Sequence, residues 1–219
     1  MSVILRGFRY SVYTRIAAMV LREKGVGYDI EEVDPFTPPL PSDYQKRHPF
    51  GRVPVLSHGA TDIYETAAIT RYVDAAFDGP ALTPKSAIAQ ARLMQVIAII
   101  DNYGYVPMIR QVFAHRVFRP AEGLACDEDL ITEGITAAEP VLGALNKIAG
   151  QGDVLNPGSI TLADCHLAPV LAYFAMAPEG YSALEQHNAL YDWWTSIATR
   201  QSLIDTDPGL PNGASTPDI

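Results

Sequence analysis

The sequence predicts an α/β domain followed by an all-helical domain. Over about the first 77 residues, short apolar runs typical of strands alternate with apolar stripes at helical spacing, in the order βαβαββα. That order predicts one mixed sheet with helices packed on it. No convincing strand pattern follows residue 86, and residues 78–86 have the composition of a linker. We therefore expect domains at 1–79 and 87–219, joined by a linker at 80–86.

The elements of the first domain follow from apolar spacing and from residues that end helices. The first helix ends at Gly25, since glycine readily adopts the left-handed conformation found at helix ends. Its apolar stripe is Val12, Ile16, Met19 and Val20, and the stripe of the last helix is Ile69, Tyr72, Val73, Ala76 and Phe77. Strands are predicted at 2–6, 27–33, 53–57 and 61–64, with a short helix at 42–47.

The second domain contains only helical patterns. Helices are predicted over 86–117, 127–149, 162–175 and 182–199. Gly104 and Pro107 interrupt the first of these, so we expect a kink there. The tail from Asp205 is rich in proline, glycine and small polar residues, which predicts irregular structure.

Composition excludes several classes of function. The chain has 219 residues and a net charge of −9, and most of the acidic excess lies beyond residue 80, so nucleic-acid binding is not expected. The two cysteines and five histidines show no spacing typical of disulfides or metal sites. No run approaches the ~18 apolar residues of a membrane span, and the N-terminus does not resemble a signal peptide. We expect a cytoplasmic protein with no metal and no membrane partner.

Pro54 stands inside the apolar run 53–57, where a proline forfeits a hydrogen-bond donor. A trans proline on an edge strand is the ordinary explanation, because only ~5–6% of X-Pro bonds in folded proteins are cis. A cis bond would instead turn the Val53 backbone outward. Its N–H and C=O could then pair with an extended peptide ligand.

Glu65 and Thr66 open the helix that follows. Ordinary capping of a helix start explains both residues. The same position also offers unpaired N–H groups and the positive end of the helix dipole to a ligand carboxylate. The Glu65 carboxylate can in addition accept a hydrogen bond from a ligand ammonium.

Ser11 is predicted to cap the first helix. A hydroxyl at a helix start also suits a thiolate. Lowering a thiol pKa by about two units takes about 2.7 kcal/mol. A hydrogen bond to a charged group supplies ~1.5–3 kcal/mol and a helix N-terminus up to ~2 kcal/mol. Together they suffice without a covalent role for Ser11.

Several stretches together resemble the cytosolic glutathione transferases. They are YSVYTR, PFGRVPVL, YETAAITRYV, SITLADCHLAP and LYDWWTSIATR, and the resemblance covers nearly the whole chain. It is closest to serine-type classes such as phi, because Ser11 stands four residues before Arg15.

The resemblance implies a thioredoxin-like first domain with cis-Pro54, and a helical bundle that carries a hydrophobic substrate site. Glutathione, the co-substrate, would lie along Val53, with its γ-glutamyl end at Glu65 and Thr66 and its thiol near the catalytic Ser11. Thr161 and Asp164 resemble the family's helix-capping pair, as Thr-x-x-Asp before an apolar run also predicts. A homodimer that conjugates glutathione to a small hydrophobic electrophile is implied.

The chain departs from the family's pattern at several positions. Thr66 replaces the usual serine and keeps the hydroxyl. Pro39-Leu40 stands where phi proteins carry His-Lys for the glycine end of glutathione, a contact for which Arg52 is the candidate. Tyr10 and Tyr13 flank Ser11, and either phenol could take over its role. The absence of a cysteine near position 11 argues against the thiol-transferring classes.

The hydrophobic substrate site is expected at Tyr10, Tyr13, Tyr103 and Met108, with Tyr105 and Phe113 as further candidates. Ordinary helix packing is the better explanation for at least half of the candidates in the second domain. His166 and Cys165 are predicted to be buried core residues, and 127–129 a solvated helix start.

Two alternative functions stay open. The chain could be a non-catalytic binding or assembly module with this fold, or another glutathione-dependent enzyme such as a lyase or a dehalogenase. No spacing in the sequence identifies the electrophile.

Overall fold

The computed structural model describes residues 2–37 and 39–214, and its chain divides into two units. The first unit comprises the residues up to Leu82 together with Asp205–Pro208. The second comprises Thr83–Ile204 and the residues from Gly209 onward. An α/β unit followed by a helical unit confirms the predicted fold class. The finer boundaries at 79 and 86 stay predictions, and no sequence pattern indicated that Asp205–Pro208 belongs to the first unit.

The first unit is a four-stranded mixed sheet with helices. Its strand order is β2-β1-β3-β4, in which β1 is parallel to β2 and antiparallel to β3, and β3 is antiparallel to β4. The elements are β1 (Val3–Gly7), α1 (Val12–Glu23), β2 (Asp29–Glu32), α2 (Ser42–Arg47), β3 (Val55–His58), β4 (Thr61–Tyr64) and α3 (Thr66–Ala76).

The core of this unit lies between the sheet and its helices. Leu5 and Leu56 are fully buried in β1 and β3, and Ile16 is fully buried in α1. Helix α1 packs against α3. Its last residue is Glu23, and the predicted stop residue Gly25 lies just beyond it, with a φ of 66° in the left-handed conformation that glycine adopts without a steric penalty. Strand β3 starts at Val55, two residues later than predicted, because Pro54 has no N–H to contribute to a ladder.

The second unit is built around one buried helix. All residues of α7 except Ala172 are buried, and α4 and the segment 106–118 pack against it. Its elements are α4 (Ala87–Ile99), π-helical turns at Ile100–Gly104 and Val106–Phe118, α5 (Arg119–Ala121), α6 (Glu128–Ala149), α7 (Leu162–Phe174), α8 (Pro178–Glu185), α9 (Asn188–Ile197), α10 (Gln201–Asp205) and a 3₁₀ turn at Pro211–Gly213.

The long helix predicted at 86–117 changes from α-helix to π-helical turns at Ile100, four residues before Gly104. Its second half has wide π-helical turns, which are rare in proteins. Helix α6 packs closely along this segment, because a Cβ on Gly134 would lie 2.8 Å from Val112 Cγ2. Glycine at this position therefore permits the close approach.

The prediction of a single helix over 182–199 is wrong. The chain forms α8 and α9 instead, separated at Gln186 and His187. The physical reason comes from another helix: the side-chain oxygen of Asn146 in α6 accepts a hydrogen bond from the Leu190 N–H at 3.1 Å. That bond caps a new helix start where a continuous helix would have used its own carbonyl.

Three smaller predictions for this unit are confirmed. His166 and Cys165 are buried, and His166 Nε2 lies 2.8 Å from Asp101 Oδ1. Asp127 caps α6 by accepting from the N–H groups of Asp129 and Leu130. The tail predicted to be irregular contains the 3₁₀ turn at Pro211–Gly213, and its last residues, 215–219, lie outside the described residues.

Candidate functional site

Three chain segments reach the same end of the sheet. In the strand register, Arg6 pairs with Val55, and Val55 pairs with Tyr64. Neighbouring strands in both pairs are antiparallel, so the end of β1, the start of β3 and the end of β4 coincide. The residues just beyond these points are 8–11, 52–54 and 65–66. The fold thus brings Ser11, the 52–54 loop and Glu65–Thr66 to one end of the sheet.

Ser11 is the N-cap residue of α1, as predicted. Its backbone is extended, with φ −71° and ψ 123°, and its Oγ accepts a hydrogen bond from the Thr14 N–H at 3.4 Å. This bond is long for an N–H···O contact, so the cap is weak. The hydroxyl stands at the positive end of the α1 dipole, where it can donate to an anion.

The peptide bond between Val53 and Pro54 is cis. Val53 is half-buried, and its N–H and C=O make no hydrogen bond to another described residue. The loop before it is anchored by the buried Tyr44, whose hydroxyl donates to the Arg52 carbonyl at 2.7 Å. Burial raises the pKa of Tyr44, which keeps this phenol protonated as a donor. Val53 therefore presents both peptide groups from an anchored loop.

Glu65 has an unusual backbone conformation. It is the N-cap residue of α3, with φ 67° and ψ 116° and no side-chain capping bond. A non-glycine residue held at such angles costs of order 1–3 kcal/mol, and such strain is concentrated at functional sites. The exposed Glu65 side chain makes no ion pair with another described residue. The next residue, Thr66, is buried at the start of the same helix.

Gly51 connects Arg52 to the rest of its loop, and Leu40 packs close to Gly51. Arg52 is exposed, and within the described part of the chain no ion pair includes it. A Cβ on Gly51 would lie 3.2 Å from Leu40 Cδ1, and the φ of Gly51 is 61°. Leu40 thus packs at the loop that carries Arg52, and Arg52 remains the candidate cation for an anionic ligand group.

The residues predicted to line the hydrophobic site have different environments. Tyr10 and Tyr13 are half-buried in the first unit, and the Tyr10 ring packs edge-on to Phe8 at 5.4 Å between centroids. In the second unit, Tyr103 is 69% exposed, whereas Met108 has no accessible surface. A hydrophobic site formed by these four residues stays a prediction.

The sequence predicted no role for two residues, Asp207 and His48. Asp207, in the tail, forms an ion pair with Arg15 of α1 at 3.1 Å. His48 is buried immediately before the Pro49–Pro54 loop. In the sequence, His48 directly precedes the stretch PFGRVPVL, which contains Pro54. That proximity is the signal that could have identified His48. No spacing connected Asp207 with Arg15.

Two family models match the chain. The model described as "Glutathione S-transferase, N-terminal domain" matches residues 5–81, and the model described as "Glutathione S-transferase, C-terminal domain" matches residues 128–194. Together they span about two thirds of the chain.

The chain belongs to the glutathione S-transferase family. Similar curated proteins include glutathione S-transferase F13 of Arabidopsis thaliana, 24% identical over 220 residues, which cover 99% of this chain and 100% of the relative. Glutathione S-transferase 3 of Zea mays is 26% identical over 197 residues, which cover 89% and 88% of the two chains. The F designation of the plant relatives is that of the phi class, which confirms the predicted resemblance.

Solved glutathione S-transferases share the fold. The structure of glutathione S-transferase III in apo form matches with a TM-score of 0.82 and 26% identity, over 94% of this chain and 95% of that chain. The theta-class enzyme from Xanthomonas axonopodis pv. citri with glutathione bound matches with a TM-score of 0.75 and 24% identity, over 94% and 97% of the chains. The second likeness concerns the fold alone.

Metal ions and membranes are two other kinds of partner to consider for this glutathione S-transferase. No group of three or more metal-ligating side chains lies close enough together to hold an ion among residues 2–37 and 39–214. Within the same residues, no helix has both the length and the apolar composition needed to cross a membrane.

Proposed function

We propose that this glutathione S-transferase binds glutathione at the shared end of β1, β3 and β4. The observation that carries the proposal is the strand register, which brings Ser11, Val53 and Glu65 to that end. The outcome is conjugation of the glutathione thiol to a small hydrophobic electrophile in the cytoplasm.

The tripeptide pairs with Val53 through its backbone. Both peptide groups of Val53 lack partners among the described residues, so an extended ligand can complete them as an added strand. The γ-glutamyl ammonium lies at the Glu65 carboxylate, and the γ-glutamyl carboxylate at the N-terminus of α3 beside Thr66. The exposed guanidinium of Arg52 receives the glycine carboxylate.

Ser11 acts on the thiol without forming a covalent bond. The sulfur loses its proton to solvent, and the Ser11 hydroxyl donates a hydrogen bond to the resulting thiolate. The positive end of the α1 dipole stabilises the same charge. The thiolate then attacks the electrophile, held close by Tyr10 and Tyr13 beside Ser11. Most of the acceleration comes from thiolate formation and proximity.

The assembly is proposed to be a homodimer. Large apolar side chains on both units support this, since Phe50, Met94 and Tyr103 are exposed by 68%, 55% and 69% in the single chain. Light scattering on the purified protein tests it, and a monomeric mass contradicts it.

The test of the function is an ultraviolet difference spectrum of bound glutathione, titrated with pH. We expect a thiolate absorbance that develops well below the pH at which the thiol ionises in free solution. No thiolate absorbance at saturating glutathione contradicts the enzyme and favours the non-catalytic module. Product analysis with halogenated and ether substrates separates conjugation from dehalogenase or lyase activity.

A further inference from the structure

His48 occupies the junction between helix α2 and the Arg52–Pro54 loop. Its backbone N–H donates to the Tyr44 carbonyl at 3.0 Å and ends α2. Its own carbonyl accepts from the Gly51 N–H at 3.0 Å, which closes the turn leading into the loop. The direction in which the loop leaves α2 is therefore fixed at His48.

The His48 ring contacts the second candidate segment as well. Its centroid lies 5.0 Å from that of Tyr64 and 6.1 Å from that of Phe50. Tyr64 is the last residue of β4 and directly precedes Glu65. His48 is 2% exposed, and its side chain thus packs between the loop that holds Val53 and the segment that holds Glu65.

The imidazole is buried without a full set of hydrogen bonds. Its Nδ1 has no partner among the described residues. Burial lowers the pKa of His48; the Glu65 carboxylate raises it, and the Arg52 guanidinium lowers it to a smaller extent. Tyr64 contributes a phenol to the same surroundings. With a pKa below the usual value of about 6.5, His48 is neutral at pH 7.

We propose that His48 is a positioning residue for glutathione, which holds the Val53 loop against the Glu65 segment and competes with the ligand for Glu65 when protonated. This inference rests on the proposed function. An imidazolium at position 48 attracts the Glu65 carboxylate, and the γ-glutamyl ammonium of glutathione needs the same carboxylate. Because the His48 ring packs against Tyr64, the residue directly before Glu65, the imidazolium charge develops beside the Glu65 segment, and protonation weakens ligand binding. Glutathione affinity therefore falls as the pH falls below the ordinary histidine range.

The probe is S-methylglutathione, which has no thiol to titrate. Its dissociation constant is measured by calorimetry at pH values of about 7.5 and about 5. We expect the wild-type affinity to fall about fivefold at the lower pH, the loss that corresponds to about 1 kcal/mol. His48→Phe keeps a buried ring but cannot titrate, so it should remove most of that pH dependence. His48→Asn is the second variant if the phenylalanine does not fold.

His58→Asn is the matched control. His58 lies at the other end of β3, where its Nδ1 is 2.8 Å from the Tyr72 hydroxyl. This variant should keep the wild-type pH dependence. A wild-type affinity independent of pH, or a dependence retained by His48→Phe and His48→Asn, overturns the inference while the proposed function stands. Absence of binding at both pH values overturns the proposed function and, with it, the inference.

Discussion

The guanidinium Nη2 of Arg15 lies 3.1 Å from Asp207 Oδ2, which joins the tail to the helix that begins at Ser11. The Arg15 side chain is 2% exposed and the Asp207 side chain 34% exposed. A cation this deeply buried needs a nearby anion, because burial of an unpaired charge is strongly unfavourable. The ion pair explains why Asp205–Pro208 belongs to the first unit although the sequence places it after the helical one.

Asp207→Asn is expected to lower the free energy of unfolding by about 2 kcal/mol. Breaking a fully buried pair costs about 3–5 kcal/mol, and the partial exposure of Asp207 reduces that value. The measurement is the midpoint of urea unfolding. Asp192→Asn, at an exposed position of α9, is the control and should leave the midpoint unchanged. Equal midpoints for both variants would show that the pair does not stabilise the fold.

Ser11→Ala is expected to lower turnover at least about tenfold, because the thiolate loses a hydrogen bond from a neutral donor to a charged acceptor. Glutathione binding should change little. The variant also loses an N-cap, which costs about 1 kcal/mol of stability.

Ser86→Ala separates the two effects. Ser86 caps α4 and accepts from the Ala89 N–H at 3.2 Å, so its loss is a matched structural change away from the proposed site. Both variants should lose similar stability, and only Ser11→Ala should lose turnover. If Ser11→Ala keeps its turnover, Tyr10 or Tyr13 is expected to activate the thiol instead. Tyr10→Phe and Tyr13→Phe then test these two residues.

Glu65→Gly is expected to stabilise the fold by about 1 kcal/mol and to weaken glutathione binding. Glycine tolerates a φ of 67° without the penalty that glutamate carries there, but it has no carboxylate for the ligand ammonium. Thermal unfolding and calorimetric titration measure the two effects. Glu65→Gln keeps the strained backbone and should weaken binding without stabilising the fold. Glutathione affinity at the wild-type level in both variants would remove Glu65 from the proposed site.

Trp193→Phe is expected to lower the free energy of unfolding by about 1.5–3 kcal/mol, the contribution of a hydrogen bond to a charged group. Trp193 Nε1 donates to Asp164 Oδ1 at 2.7 Å, and Asp164 is 1% exposed. The same carboxylate completes the capping box of α7 with Thr161.

Trp194→Phe is the matched control for this change. Trp194 is buried in the same helix, and no hydrogen bond from its ring to another described residue is present. Urea unfolding followed by circular dichroism compares the two variants. A loss for Trp194→Phe as large as that for Trp193→Phe would attribute both effects to ring volume and not to the bond with Asp164.

Local patterns predicted the regular elements well. The apolar stripe of α1 and the glycine after it define both ends of that helix, because these features act within one or two helical turns. The Thr161–Asp164 box was predicted for the same reason, since both partners lie three residues apart. Where an element's boundary depends on a distant side chain, prediction failed. Asn146 caps α9 from another helix, and no local pattern around His187 indicates a helix boundary there.

By itself, the sequence determined the fold class, the family and the candidate residues Ser11, Pro54, Glu65 and Thr66, because each depends on short-range spacing. Tertiary structure alone decided that the segments of these residues share one end of the sheet, since strand register is a long-range property. It also decided the strained backbone of Glu65, the burial of His48 and the pairing of Arg15 with Asp207. These features arise only when residues far apart in the chain are brought together, and for His48 and Arg15 the exclusion of water is what makes their charges matter.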